Sequence, residues 1–196
     1  MKSIRAFFCL PLPDALLNDL AKWLRDAETR FRESRVFGAR FVPRFNLHVT
    51  LRFCGEIPEQ TANALDKRLA APIREALAAM PELTLENTGT FGRPPRVLWA
   101  GLDGGVFAVR SLNETIERAC QAEGLEPDDK RFSPHLTLAR FGDPRAARLD
   151  LLPEWDLTGR NWKPDRVIFM RSVLSPSGAR YSPLSVYQAL IKYELF

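Results

Sequence analysis

His48-Val49-Thr50-Leu51 and His135-Leu136-Thr137-Leu138 decide the fold of this chain, because they are one four-residue pattern used twice. The sequence contains 2 histidines, and each of them opens one of these motifs. A repeated H-x-T-L pattern of this kind indicates an internal duplication. The sequence therefore predicts two matched halves, each of which contributes one motif.

Both motifs alternate apolar and polar residues, which is typical of a half-buried β-strand. The apolar residues are expected to face the core, including Phe53 at the end of the first motif strand. The opposite face is expected to carry the remaining side chains: His48, Thr50 and Arg52 in the first motif, and His135, Thr137 and Ala139 in the second. Residues i and i+2 of a strand project from the same face about 7 Å apart. Each motif therefore places an imidazole beside a hydroxyl.

The rest of the chain reads as three helices and about seven strands. Periodicity predicts helices at 14–27, 59–80 and 107–122, and strands at 4–10, 47–53, 82–88, 97–102, 135–139, 166–174 and 185–195. Pro72 lies inside the second helix and is expected to kink or divide it, while residues 35–43 are interpreted as irregular. Few βαβ-like runs occur, so the pattern predicts an α+β protein with antiparallel sheets.

Length and composition favour one compact protein. The 196 residues, with 45% hydrophobic and 27% charged residues, are typical of a globular domain, and we expect residues 1–196 to form a single two-lobed unit. No segment approaches the roughly 20 apolar residues of a membrane-spanning helix, so no membrane partner is expected. The N-terminus lacks a cleavage site for a signal peptide, and three cysteines do not form a disulfide framework. We expect a cytoplasmic protein, and nothing requires more than a monomer.

The motif residues suit cleavage of a phosphodiester. One imidazole can accept a proton from a nucleophile while the other donates one to a leaving oxygen, and the hydroxyls of Thr50 and Thr137 can hold the phosphate. Arg140, five residues after its histidine, is a candidate phosphate ligand, because a guanidinium matches phosphate geometry. Phe53 has the equivalent position in the first motif. Its ring could stack on a base or belong to the core.

Other kinds of site have little support. Lys130, Arg131, Arg44 and Arg52 flank the motifs and are treated as solvated charges rather than ligands. Metal-ligand spacing is absent around the two histidines, so no metal is expected. The motifs of nucleotide cofactors and of serine hydrolases are also missing, and no cofactor is expected.

A longer comparison of residues identifies a family. Residues 46–55, NLHVTLRFCG, and 131–140, RFSPHLTLAR, resemble the paired motifs of the two-histidine phosphoesterase superfamily. More narrowly, the chain is similar to bacterial RNA 2′,3′-cyclic phosphodiesterases of the LigT/ThpR type, also called the 2′-5′ RNA ligase family. The resemblance extends to the opening strand at 5–8, to 95–101 and to 175–181.

The resemblance implies both a fold and a reaction. The implied fold is bilobal and pseudo-twofold, with two antiparallel sheets facing a central cleft and helices packed outside. The implied reaction is metal-independent hydrolysis of RNA 2′,3′-cyclic phosphate ends to 2′-phosphates. His48 then becomes the general acid that protonates O3′ and His135 the general base that activates water. Thr50, Thr137 and Arg140 bind the phosphate, and Phe53 corresponds to an aromatic near the base.

Three alternatives stay open on sequence alone. The same site could form or cleave 2′-5′ linkages if a hydroxyl replaced the attacking water. It could also act on a small cyclic phosphate derived from ADP-ribose. A third interpretation is a non-catalytic module that binds RNA or nucleotides. Two intact His/Thr pairs argue against this module, because phosphate binding alone does not require two titratable imidazoles.

Overall fold

The computed structural model describes residues 2–129, 131–176 and 178–189. Its α-helices are α1 (Asp14–Glu33), α2 (Glu59–Ala78) and α3 (Val106–Ala122). Its strands, in chain order, are β1 (Ser3–Pro11), β2 (Ala39–Phe41), β3 (His48–Pro58), β4 (Leu83–Phe91), β5 (Val97–Gly104), β6 (His135–Phe141), β7 (Asn161–Trp162), β8 (Arg166–Ser175) and β9 (Gly178–Gln188). Short 3-10 turns lie at 44–46, 144–146 and 149–151.

The described strands form one antiparallel sheet in two halves, so the predicted α+β class is confirmed. One half has the order β9-β8-β1-β3 and the other the order β6-β5-β4-β7, while β2 pairs with β6. The two motif strands, β3 and β6, meet at the centre through the antiparallel pair Val49 and Leu136. Two separate sheets were expected. The structure instead joins the halves through this one pair, which we call the seam.

The three predicted helices are confirmed, and each buries one apolar face. In α1 the buried positions include Leu16, Leu20, Trp23 and Ala27, which recur at helical spacing. Pro72 does not divide α2, which is continuous from Glu59 to Ala78. This proline faces solvent, where the carbonyl that loses its helical hydrogen bond can be hydrated.

The helices pack against one face of the sheet and leave the other face to the site. Phe8 of β1 stacks on Phe169 of β8 within this helix-side core, at 4.1 Å between ring centroids. Phe31 of α1 packs edge-on against Phe41 of β2. The indole nitrogen of Trp23 donates to the carbonyl of Glu154, which ties α1 to the loop after β6. Within the described ranges, no helix is both long and apolar enough to cross a membrane.

Two short strands were missed, and several boundaries were wrong: α1 continues to Glu33 instead of 27, and β3 continues to Pro58 instead of 53. The segment interpreted as irregular contains β2, whose three residues pair with the end of β6. Strand β7 has only two residues, paired with Leu83 and Thr84. Strand β9 begins at Gly178 rather than at 185. The predicted extension of this strand beyond residue 189 lies outside the described residues.

Candidate active site

The seam brings the four motif side chains together on one face of the sheet. Val49 and Leu136 are paired, and both are fully buried on the helix side. Extending this antiparallel register by one residue sets His48 across from Thr137 and His135 across from Thr50. Directly opposite residues of an antiparallel pair share a face. Two imidazoles and two hydroxyls therefore line the cleft face, all of them partly accessible.

Each motif contains a β-bulge at its leucine. Thr50 pairs with Cys9 and Arg52 with Phe8, which leaves Leu51 as the extra residue of β3. In β6, Thr137 pairs with Trp99 and the next paired residue is Ala139, so Leu138 is extra there. A bulge reverses the alternation of every side chain that follows it. The two halves repeat this irregularity at the same motif position.

The bulges correct the predicted orientation of the residues that follow the leucines. Arg52 and Ala139 were expected on the polar face but are buried on the helix side, 7% and 0% exposed. Phe53 was expected to face the core but is 37% exposed. It lies on the cleft side with Phe7, where their rings stack at 5.2 Å. Arg140 is exposed on the cleft side as well, and it could not be there without the bulge at Leu138.

Both imidazoles are oriented by a carbonyl two residues upstream. His48 Nδ1 lies 2.8 Å from the Asn46 carbonyl oxygen, and His135 Nδ1 lies 2.8 Å from that of Ser133. A carbonyl oxygen only accepts, so each Nδ1 carries the proton and donates it. In the neutral rings this tautomer leaves Nε2 of both histidines as the basic atom. The backbone thus prepares two equivalent imidazoles for proton transfer through Nε2.

The Thr50 hydroxyl is linked to its own histidine. Its Oγ1 lies 3.0 Å from His48 Nε2. When the ring is neutral, the hydroxyl donates to Nε2. When the ring is protonated, Nε2–H donates to Oγ1 and the hydroxyl proton is free for another acceptor. Protonation of His48 therefore turns Thr50 into a donor toward the cleft.

Burial lowers the pKa of both histidines. The pKa of His48 falls from 6.5 to about 4, chiefly through desolvation, and the nearby charges of Arg140 and His135 add to the effect. Desolvation and Arg140 also lower the pKa of His135. The hydrogen bonds to the carbonyls of Asn46 and Ser133 oppose these shifts. Both rings are therefore neutral at pH 7 in the unliganded protein, and an anion bound beside Arg140 would raise both pKa values.

Aromatic rings enclose the imidazoles, and sequence reasoning did not assign them. Phe7 stacks on His48 at 5.0 Å, and Tyr181 of β9 contacts it edge-on at 5.6 Å. Phe91 of β4 makes an edge contact with His135 at 5.0 Å. Tyr181 belongs to the segment 175–181 that resembles the family, but no local sequence pattern predicts the contact of β9 with β3. These rings cover part of each imidazole and so contribute to the burial that lowers the histidine pKa values.

The arginines that flank the motifs have different surroundings. Arg140 acts electrostatically on both histidines, which places it at their cleft. Arg5, which the sequence did not single out, lies over Phe53 with its guanidinium carbon 5.4 Å from the ring centroid. Arg52 is buried and forms an ion pair with the partly buried Glu117 of α3, so its role is structural.

The three remaining flanking residues are Arg44, Arg131 and Lys130. Arg44 is held by Asp14 and Asn18 of α1, with its Nη2 2.7 Å from the Asp14 carboxylate. Arg131 is exposed. Lys130 lies outside the described residues. In the part of the chain that is described, no three His, Cys, Asp or Glu side chains cluster as metal ligands would.

Comparison with known proteins places the chain in a family. The family model for the 2′-5′ RNA ligase superfamily matches residues 12–175. The chain belongs to this superfamily. The matched region contains both motifs and the seam between them.

Curated relatives within the superfamily carry one name. The RNA 2′,3′-cyclic phosphodiesterase of Aeropyrum pernix is 34% identical over 144 residues, which cover 71% of this chain and 80% of that protein. The protein of the same name from Thermus thermophilus is 32% identical over 194 residues, covering 94% and 89%. These similarities confirm the family that the doubled motif indicated.

Solved structures show the same fold. A crystal structure of a Thermus thermophilus protein superposes with a TM-score of 0.71 at 30% identity, covering 94% of this chain and 97% of that one. Apo LigT from Escherichia coli gives a TM-score of 0.72 at 24% identity, covering 96% and 99%. The second similarity establishes the fold only, and it extends over nearly the whole chain.

Proposed function

We propose that this protein is an RNA 2′,3′-cyclic phosphodiesterase that opens the cyclic phosphate to a 2′-phosphate without a metal ion. The observation that carries the proposal is the seam, where two H-x-T motifs present two imidazoles in the same tautomer, with Nε2 as the basic atom of each ring. The names of the curated relatives support the same reaction.

The proposed step needs one acid and one base. Water attacks the phosphorus atom while a neutral imidazole takes its proton, the P–O3′ bond breaks, and O3′ receives a proton from the other imidazole. Thr50, Thr137 and Arg140 would hold the non-bridging oxygens and stabilise the negative charge in the transition state. Phe53 would support the terminal base, which could stack on the ring together with the guanidinium of Arg5.

We assign the acid role to His48 and the base role to His135, following the family resemblance. In the unliganded protein the pKa of His48 is about 4, so its protonation depends on the bound phosphate. The Thr50 oxygen can accept from Nε2–H and so stabilise the protonated ring, until Nε2–H is transferred to O3′.

Product analysis tests the reaction. A short RNA with a 2′,3′-cyclic phosphate end would be incubated in excess EDTA with wild type, His48→Ala, His135→Ala and a control, Arg110→Gln, which alters an exposed arginine of α3 on the other side of the sheet. We expect a 2′-phosphate product from wild type and control and none from the histidine variants. Tight binding without turnover by wild type would instead identify a non-catalytic module.

An activated substrate separates the two histidine roles. Bis(4-nitrophenyl) phosphate has a leaving group that departs without a proton, so the general acid becomes dispensable. We expect His48→Ala to retain activity on this substrate and His135→Ala to lose it. The opposite pattern would exchange the two roles.

Further proposals concern the protein as a whole. We propose that residues 1–196 form one two-lobed unit, supported by a buried core cluster with members in both halves of the sheet, and that the protein is a monomer. The described thiols of Cys9, Cys54 and Cys120 are free and buried, which supports a cytoplasmic location, where thiols stay reduced. Gel filtration and cell fractionation test these statements.

A further inference from the structure

Arg40 stands beside Arg140 on the cleft face of the sheet. In the pairing of β2 with β6, Arg40 lies directly opposite Arg140. The neighbouring pair, Phe41 and Ala139, faces the helices, since Phe41 packs against α1 and Ala139 is fully buried. Strand alternation therefore turns Arg40 to the same side as Arg140 and the phosphate-binding threonines. Both arginines are exposed.

This pair of like charges is not neutralised by the protein. Among the ion pairs of residues 2–129, 131–176 and 178–189, none involves Arg40 or Arg140, whereas nearby Arg145 is held by Asp143 at 2.9 Å. Like charges directly opposite each other destabilise a sheet. A pair of adjacent, exposed guanidinium groups is suited to two anionic groups, and phosphates match the guanidinium fork.

The opposite end of the cleft has the reverse charge. A groove of about 750 Å³ is lined by Phe53, by Arg5 and Arg52, and by a larger number of carboxylates: Glu56, Glu123, Glu126, Asp128 and Asp129. Carboxylates repel a phosphodiester backbone but do not exclude an uncharged base. A nucleic acid strand whose end lies at the two histidines is therefore favoured on the Arg40 side and disfavoured beyond Phe53.

Two exposed aromatic residues flank Arg40 in the sequence. Phe37 and Phe45, on either side of β2, are 78% and 77% exposed. Basic residues interleaved with exposed aromatics are the pattern with which proteins bind single strands, through phosphate contacts and base stacking. The segment therefore has both elements that an RNA strand requires.

We propose that Arg40 is a second phosphate subsite, which binds the phosphodiester on the 5′ side of the reacting cyclic phosphate. The inference rests on the proposed function and specifies its substrate: an oligonucleotide with a cyclic phosphate end is preferred to the mononucleotide. Arg140 holds the reacting phosphate, and Arg40 holds the next one along the strand. Phe37 and Phe45 then provide stacking surfaces for the preceding bases.

Substrate length tests the subsite. We would measure kcat/KM for uridine 2′,3′-cyclic phosphate and for a trinucleotide with the same end, using wild type, Arg40→Gln and the control Arg110→Gln. We expect Arg40→Gln to lower the value for the trinucleotide roughly tenfold more than the value for the mononucleotide, since it removes one charge-assisted contact. The salt dependence of trinucleotide binding should weaken by about 0.7 in the log–log slope, as for one phosphate contact on a single strand. The control should change neither.

Equal effects of Arg40→Gln on both substrates, or none on either, would overturn the subsite and leave the proposed reaction intact. If wild type hydrolyses neither substrate, the proposed reaction fails. The Arg40 subsite is then tested separately, by measuring the binding of a trinucleotide with a 3′-phosphate. Weaker binding by Arg40→Gln, but not by Arg110→Gln, supports it, and equal binding rejects it.

Discussion

The buried imidazole of His48 should make the protein lose stability as the pH falls. Its pKa is lowered from 6.5 to about 4, so between these values the unfolded chain binds a proton that the folded protein does not. Stability attributable to this group is therefore fully present above pH 6.5 and declines as the pH falls toward 4. One pKa unit corresponds to about 1.4 kcal/mol, which gives a total of about 3 kcal/mol, of which about 2 kcal/mol is lost by pH 5.

A double difference isolates this contribution. The free energy of unfolding would be measured by urea denaturation at pH 7.5 and pH 5.0 for wild type and for His48→Gln, which preserves polarity but does not titrate. The other titrating groups contribute the same pH dependence of the unfolding free energy to wild type and variant, so their contribution cancels in the double difference. We expect the drop from pH 7.5 to pH 5.0 to be about 2 kcal/mol smaller in the variant. An identical drop in the two proteins would refute the argument that His48 is neutral and desolvated in the folded state.

Three further predictions concern packing and kinetics. Arg52→Ala should cost about 3 kcal/mol in urea denaturation, because it leaves the Glu117 carboxylate without its buried partner; an unchanged midpoint would contradict a structural role. Gly89→Ala should destabilise the protein by about 2 kcal/mol and lower kcat, because its Cβ would overlap the indole of Trp99, which contacts the ring against His135. The pH profile of kcat should lie at higher pH than that of kcat/KM, because a bound phosphate anion raises both imidazole pKa values; coincident profiles would contradict this.

Local periodicity predicted the features of this protein that depend on neighbouring residues. The three helices and the motif strands follow from apolar spacing, and the His/Thr pairs on the cleft face follow from the alternation within each H-x-T tripeptide. The position of Arg140 five residues after its histidine and the family resemblance both predicted a phosphate ligand, and this role stays a prediction. Each of these inferences uses residues that are close together in the chain.

The features that sequence reasoning missed depend on partners far away in the chain. The bulges at Leu51 and Leu138 are properties of strand pairing, so a strict period of two placed Arg52, Phe53 and Ala139 on the wrong faces. Three-residue β2 is a strand only because the end of β6 is available to pair with it. The contact of Tyr181 with His48 likewise depends on how β9 folds back over the sheet.

The seam also has a consequence for regioselectivity. The His/Thr set is symmetric about the paired Val49 and Leu136, so by itself it treats the two ester oxygens of a cyclic phosphate as equivalent. Whether O2′ or O3′ departs must therefore be decided where the halves differ. One such difference within the duplicated motifs is the position five residues after each histidine, an aromatic ring in one half and a guanidinium in the other: Phe53 and Arg140. We expect the broken symmetry at this duplicated position to give the ribose of a bound substrate a single orientation.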